Sequence, residues 1–289
     1  MEENHFKIAI IGLGIIGGSM AYALHGFKNA KISGCDICPE TRRKVLSKNA
    51  VDEVWGNPAP AIENADLVIL CVYPELITKI IAENRVHFKK GAVITDVCGV
   101  KTKLSQEIAR ILPDGCDYVG GHPMAGKETD GFDSAAPELF RMCGFIVTPI
   151  SSSSPRSIAL IKEMAKYIGS TWITESTPEE HDSIIAYTSD LMHVSASALC
   201  LDYNTKMNQA YTAGAFRDCT RIANISPLLW SQLFLENKNF LLDELDTFLC
   251  SLQKFKTAIA NDDKEELIKL LSSVKENKLT MQNKEPENY

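Results

Sequence analysis

Five small groups of residues have the types and spacing to do chemistry. In YVGGHPMAGKETDGF (residues 118–132), His122 stands between two glycines and a proline. An imidazole, with an ordinary pKa of about 6.5, is the side chain suited to take a proton from a hydroxyl near neutral pH. In IAIIGLGIIGGSMAYAL, Gly12, Gly14 and Gly17 form GxGxxG between an apolar run and a helical pattern. In such a turn the first glycine permits the tight bend, the second lets the backbone approach a diphosphate, and the third lets helix and strand pack closely. Asp36 follows Gly12 by 24 positions, where a carboxylate can bind ribose hydroxyls. Asp190 and His193 lie three apart in YTSDLMHV, and Arg217 and Arg221 one helical turn apart in GAFRDCTRIA. By spacing alone, these last two pairs read as readily as a core histidine and a solvated face.

The elements that must position these groups fall into two parts. Short β-branched runs at 7–12, 31–36, 66–72, 92–97, 118–121, 144–150 and 171–176 alternate with helix-length segments. Fully apolar strands in that rhythm predict a parallel sheet covered on both faces, a doubly wound α/β domain of the Rossmann type. Beyond TPEEHD the strand signal stops. Thr177-Pro178 followed by two glutamates is a helix start, so the predicted domains are 1–176, dinucleotide-binding, and 177–289, helical. Ser151–Ser154 reads as an internal loop, and the GGHPMAG stretch as a loop beyond the strand at 118–121.

Composition limits the function. The chain has 289 residues, 45% of them hydrophobic, and a net charge of −7, which gives sizeable cores and no basic stripe for nucleic acid. The N-terminus lacks signal-peptide character and no apolar run reaches spanning length, so the expectation is a cytoplasmic chain with no membrane partner. Nine cysteines scattered singly through apolar segments suit buried reduced thiols, and no metal site is expected.

The glycine turn, followed by Ile15 and Ile16 at the helix start, places a diphosphate on a helix N-terminus. Asp36 would accept hydrogen bonds from both adenosine ribose hydroxyls and repel a 2′-phosphate, so NAD is expected over NADP, with Arg42 and Arg43 the only nearby features favouring NADP. Val72, Tyr73 and Pro74, at the end of the fourth predicted strand, would lie beside the nucleotide.

Taken together, TDVCGVK (95–101), GGHPMAGKE (120–128), YTSDLMHV and GAFRDCTRIANISPLLWSQLFLENK resemble the prephenate and arogenate dehydrogenases of tyrosine biosynthesis over nearly the whole chain. The resemblance implies a Rossmann domain followed by a helical domain that forms a homodimer, with the active site between them. It implies NAD-dependent oxidative decarboxylation of prephenate to 4-hydroxyphenylpyruvate, the hydride passing from the ring to NAD while carbon dioxide leaves. His122 matches the family proton acceptor, Arg221 the arginine that holds a substrate carboxylate, and His193 a second pocket histidine. Trp230 would close an apolar wall, Gly214 would allow close backbone approach, and Glu128 would link substrate to a gate or a neighbouring chain.

Three departures from the family pattern stand out. Gly99 replaces a serine that in many relatives sits near the histidine. Lys127 replaces a threonine and, with Arg217, adds a cation. Asp190 replaces the first histidine of SHLPH, and as a carboxylate it would favour the ammonium of arogenate over the keto group of prephenate. Arogenate dehydrogenase is therefore the alternative function. A β-hydroxyacid-type dehydrogenase, or an NAD-binding sensor without chemistry, fits less well because GGHP and FRDCTRIA are both intact.

Overall fold

The computed structural model describes residues 5–127, 129–201 and 209–283. The sheet strands in chain order are β1 (Lys7–Ile11), β2 (Lys31–Cys35), β3 (Glu53–Trp55), β4 (Leu67–Leu70), β5 (Val93–Asp96), β6 (Asp117–Pro123), β7 (Gly144–Pro149) and β8 (Trp172–Glu175). The first helices are α1 (Ile15–Ala23), α2 (Pro39–Ser47), α3 (Pro58–Ile62), α4 (Pro74–Glu83), α5 (Thr102–Ile111) and α6 (Pro155–Tyr167). Then come α7 (Pro178–Ile185), α8 (Leu191–Leu201), α9 (Gly214–Thr220), α10 (Pro227–Glu236), α11 (Lys238–Ala260) and α12 (Lys264–Asn283).

The spatial order is β3-β2-β1-β4-β5-β6-β7-β8, and every pairing is parallel except β6 with β7. The predicted doubly wound parallel sheet is present, with one antiparallel step that the sequence does not announce. Alternation sends Ile8, Ile10, Leu67 and Ile69 to one core and Ala9, Ile11, Val68 and Leu70 to the other, which is why these strands read as continuous apolar runs. Order reverses between β1 and β4, the switch point where open sheets bind ligands. All seven expected strands are present, and β3 is an addition.

All nine cysteines are free, but only Cys35 and Cys98 are fully buried, fewer than their apolar settings suggest. Thr177 caps α7, its side chain accepting from Glu180 N, with Pro178 in the first turn. A π turn at Ala186–Asp190 joins α7 to α8, making one 24-residue helix, Pro178–Leu201, long and apolar enough to cross a membrane by length and composition. The polar residues that interrupt this stretch in the sequence conceal that length. Two of its carboxylates, Asp182 and Asp190, are buried and bonded within the protein.

The segment between β5 and α5 is fixed by a buried ion pair. Lys101 Nζ meets Asp96 Oδ1 with both side chains fully buried. Lys101 also donates to Cys98 O at 2.8 Å, Cys98 N donates to Asp96 Oδ1 at 2.8 Å, and the Tyr118 hydroxyl donates to Asp96 Oδ2 at 2.6 Å. A buried charge is tolerated when its partners are complete and costly when one is removed. Lys101→Met therefore should lose about 3–5 kcal/mol of stability, read as a lower denaturant midpoint at unchanged slope.

Candidate active site

His122 lies inside β6, opposite Ile146 of β7, and not in the loop expected for it. The strand continues through Gly120 and Gly121 because the sheet leaves no room for side chains there. A Cβ at Gly120 would stand 2.3 Å from Thr148 Oγ1, and one at Gly121 2.9 Å from the Asp96 carbonyl oxygen. These glycines thus serve strand packing.

The half-buried His122 ring is held at Nδ1. Its Nδ1 is 2.8 Å from Nε2 of His181, whose own Nδ1 is 2.7 Å from Asp182 Oδ1. Asp182 also accepts from Lys101 N and Thr102 N, each at 2.8 Å. Nε2 of His122 faces the backbone at Gly99, where an added Cβ would be 3.8 Å from Nε2 and 3.7 Å from Leu233 Cδ2. A serine would fit this space; in this chain the orienting partner is a histidine on α7. Burial above all, then His181 and Lys101, holds the His122 pKa well below the ordinary histidine value, so the ring is neutral at pH 7. Burial also lowers His181, against the opposing Asp182 bond. For Asp182, burial pushes upward but the His181 and Thr102 hydrogen bonds outweigh it, leaving a carboxylate below its usual range.

The facing wall is α10, which starts at Pro227 with Ser226 accepting from Leu229 N. Leu233 reaches toward Gly99, and Trp230, one turn earlier on the same face, stacks on His193 with ring centroids 3.6 Å apart and planes at 28°. His193 Nδ1 lies 2.9 Å from the Ser189 carbonyl; a carbonyl only accepts, so the proton is on Nδ1 and Nε2 is left as an acceptor. Burial chiefly lowers its pKa, the Ser189 bond opposes this, and Arg221 lowers it further. Arg221 opens the 3-10 turn Arg221–Ala223, which packs against α8. Gly99 and Leu233 thus lead from His122 to α10, where Trp230 stacks on His193 and Arg221 is near enough to act on the His193 charge.

Other expected site residues fall elsewhere. Lys127 and Arg217 are exposed, and Glu128 is outside the described residues. The nearest atom to a Cβ built at the exposed Gly214 would be Asp218 Oδ2 at 3.9 Å, so no described protein atom crowds its backbone. Asp190 is the clearest correction. It is 2% exposed, and its Oδ2 accepts from Asn237 Nδ2 at 2.7 Å. Positions three apart diverge by about 60° around a helix, enough to turn Asp190 to α11 while His193 faces α10. His181 and Asp182 were missed: in TPEEHD they look like part of an acidic first turn, and their only sequence signal is a histidine-aspartate pair on the buried side of that helix.

The nucleotide end fits the glycine fingerprint. Gly12 has φ +91°, and a Cβ there would be 2.3 Å from Cys71 O; at Gly17 it would be 1.8 Å from Gly12 O; at Gly14 it would meet nothing within 4 Å. Two glycines are thus demanded by packing, and the middle one leaves backbone open to a ligand. Ile15 and Ile16 start α1 behind it, and Val72, Tyr73 and Pro74 lead from β4 into α4 beside Gly12. Asp36 Oδ2 accepts from Leu13 N at 3.0 Å and Oδ1 from Cys38 N at 2.8 Å, leaving carboxylate lone pairs for ribose hydroxyls. Arg42 donates to the carbonyls of Asp36 and Ile37, which ties its guanidinium to the backbone.

A dinucleotide turn at the switch point and a neutral histidine at the same sheet, facing a helical wall, define an NAD-dependent dehydrogenase. The family model for the prephenate dehydrogenase nucleotide-binding domain matches residues 20–174, and that for the prephenate dehydrogenase dimerization domain matches 177–273. The chain belongs to the prephenate dehydrogenase family. It is 36% identical over 268 residues to the cyclohexadienyl dehydrogenase of Zymomonas mobilis, covering 90% of this chain and 91% of that one. It is 30% identical over 284 residues to the prephenate dehydrogenase of Bacillus subtilis, covering 96% and 76%. The crystal structure of A. aeolicus prephenate dehydrogenase in complex with hydroxyphenyl propionate and NAD+ superposes with a TM-score of 0.86 at 30% identity, covering 97% of this chain and 100% of that one.

Asp190 yields a pH test. Burial first, opposed by the Asn237 bond and reinforced by Asp182, raises its pKa from 3.8 to about 6. Between those values the folded chain binds more protons than the unfolded one, so this group's contribution to stability falls as pH rises through that window. Asp190→Asn should therefore gain about 1–3 kcal/mol over the parent on going from pH 4 to pH 7.5, measured by urea unfolding. An unchanged difference between the two proteins would contradict a buried Asp190 with a raised pKa.

Proposed function

We propose that this enzyme oxidatively decarboxylates prephenate to 4-hydroxyphenylpyruvate, with His122 Nε2 accepting the proton of the ring 4-hydroxyl. The observation that carries the reading is the orientation of His122: Nδ1 is occupied by His181 and Nε2 faces the open backbone of Gly99. NAD, when bound on the glycine turn, supplies the electron acceptor for the ring carbon. Arg221 holds a substrate carboxylate through its planar fork. His193 offers Nε2 as a hydrogen-bond acceptor, and Trp230 forms the apolar wall behind it. The exposed Lys127 and Arg217 add positive potential that draws a dianion toward the site. Asp36 reads the ribose.

Arogenate is the second substrate considered. The feature that favoured it, a carboxylate to meet its ammonium group, is turned toward Asn237, so prephenate stands first. A homodimer through the helical domain is supported by the dimerization-domain match and by exposed apolar side chains on its helices, among them Leu199, Leu235, Leu249, Ile259 and Leu271.

Purified enzyme with NAD and prephenate should generate reduced cofactor, followed by absorbance, and should do so faster than with arogenate or NADP. His122→Asn should lower turnover by about 100- to 10,000-fold with NAD affinity nearly intact; unchanged turnover would remove His122 as the acceptor. Arg221→Ala should weaken productive substrate binding by about 2–5 kcal/mol, seen as a raised KM, and a normal KM would place the carboxylate elsewhere.

A further inference from the structure

The proton positions along the row Asp182, His181 and His122 follow from a single end of it. Asp182 is held below the ordinary carboxylate range, and its two oxygens accept from the backbone N–H groups of Lys101 and Thr102. Ionised and so without a proton to donate, the carboxylate is an acceptor toward His181 as well. His181 Nδ1, 2.7 Å from Oδ1, must carry a proton. His181 is 1% exposed, and burial keeps it neutral, so its Nε2 is a lone pair. That lone pair lies 2.8 Å from His122 Nδ1, and one proton must sit between the two nitrogens. It belongs to His122 Nδ1, which leaves His122 Nε2 unprotonated on the side of Gly99. The opposite arrangement would put the His181 Nδ1 lone pair against an ionised, buried carboxylate, with the desolvation of both left uncompensated.

We infer that His181 and Asp182 are positioning residues that set the tautomer of His122, so that the nitrogen facing the cleft is always the one able to take a proton. The inference rests on the reading of His122 as proton acceptor, and it adds what makes the ring an acceptor at that nitrogen. When the substrate O–H bond breaks, its proton forms the Nε2–H bond while Nδ1–H stays on the ring. The positive charge then developing on His122 is met by the His181 lone pair and, through the polarised His181, by Asp182. Neither residue touches the substrate. The row also joins the parts of the fold: Asp182 reaches back to the start of α5, and Asn237 on the helical side donates to the Asp182 carbonyl at 2.9 Å.

The test uses full-length protein carrying 15N-labelled histidine and long-range proton–nitrogen correlation, which distinguishes the two neutral tautomers directly. The His122 signals are those that vanish in His122→Asn. In the parent protein they should show protonated Nδ1 and bare Nε2; protonated Nε2 would overturn the inference whatever the kinetics show. His181→Leu removes the acceptor and should populate the Nε2–H form of His122, lowering kcat by about 100-fold with KM and NAD affinity within about threefold. His181→Gln, whose amide oxygen can still accept from His122 Nδ1, should recover at least tenfold of that loss. A His181→Leu enzyme with parental kcat and an unaltered His122 tautomer would sink the proposal, and if that variant fails to fold, the parent spectrum decides. Failure of the acceptor reading looks different: His122→Asn would then turn over normally while the parent spectrum still showed the Nδ1–H form.

Discussion

The carboxylate of Asp182 is the interaction on which the rest of the site depends. It is buried in the first helix after the sheet, and it takes hydrogen bonds from two backbone amides at the start of α5 and from the His181 ring. A carboxylate removed from water is tolerable only when its lone pairs are met, and bonds to a charged acceptor are the stronger kind. Satisfying Asp182 therefore fixes the seam between the nucleotide-binding sheet and the helices. The neighbouring Asp96–Lys101 pair fixes the same segment from the opposite side, so the backbone at Cys98 and Gly99, which His122 faces, is held by two buried anions at once.

Burial sets the chemistry as well as the geometry. Both rings of the row are pushed toward neutrality by the loss of water, and a neutral imidazole is the form that can accept a proton. A solvated histidine would be partly protonated near neutral pH and free to exchange tautomers. Here the same packing that excludes water supplies the one acceptor that fixes which nitrogen is bare.

Much of this was legible in the residues. The strands were readable because a sheet buried on both faces has no polar alternation to confuse the pattern, and the glycine turn because each of its glycines answers a separate constraint. β3 escaped notice because Glu53, Val54 and Trp55 form a short edge strand with mixed burial. The extent of β6 escaped because GGHP looks like a turn, whereas its glycines are forced by Thr148 and Asp96 on the neighbouring strands. Asp190 was misread because spacing gives the angle between two side chains but not which neighbouring helix each one meets. His181 was invisible for a related reason: its partner His122 is 59 residues away, and nothing local in a helix cap reports a contact of that range.

His122 belongs to a strand bonded along its length to β7, while Trp230 and Arg221 stand on α10 and on a short turn packed against α8. The two halves of the site therefore differ in how freely they can change over generations. A substitution in β6 disturbs the sheet and is paid for in foldability, whereas one on α8, on α10 or in the Arg221 turn alters the helical side and leaves His122 where it was. Such an arrangement lets a lineage exchange one cyclohexadienol for another, or acquire sensitivity to a product, without reinventing its chemistry.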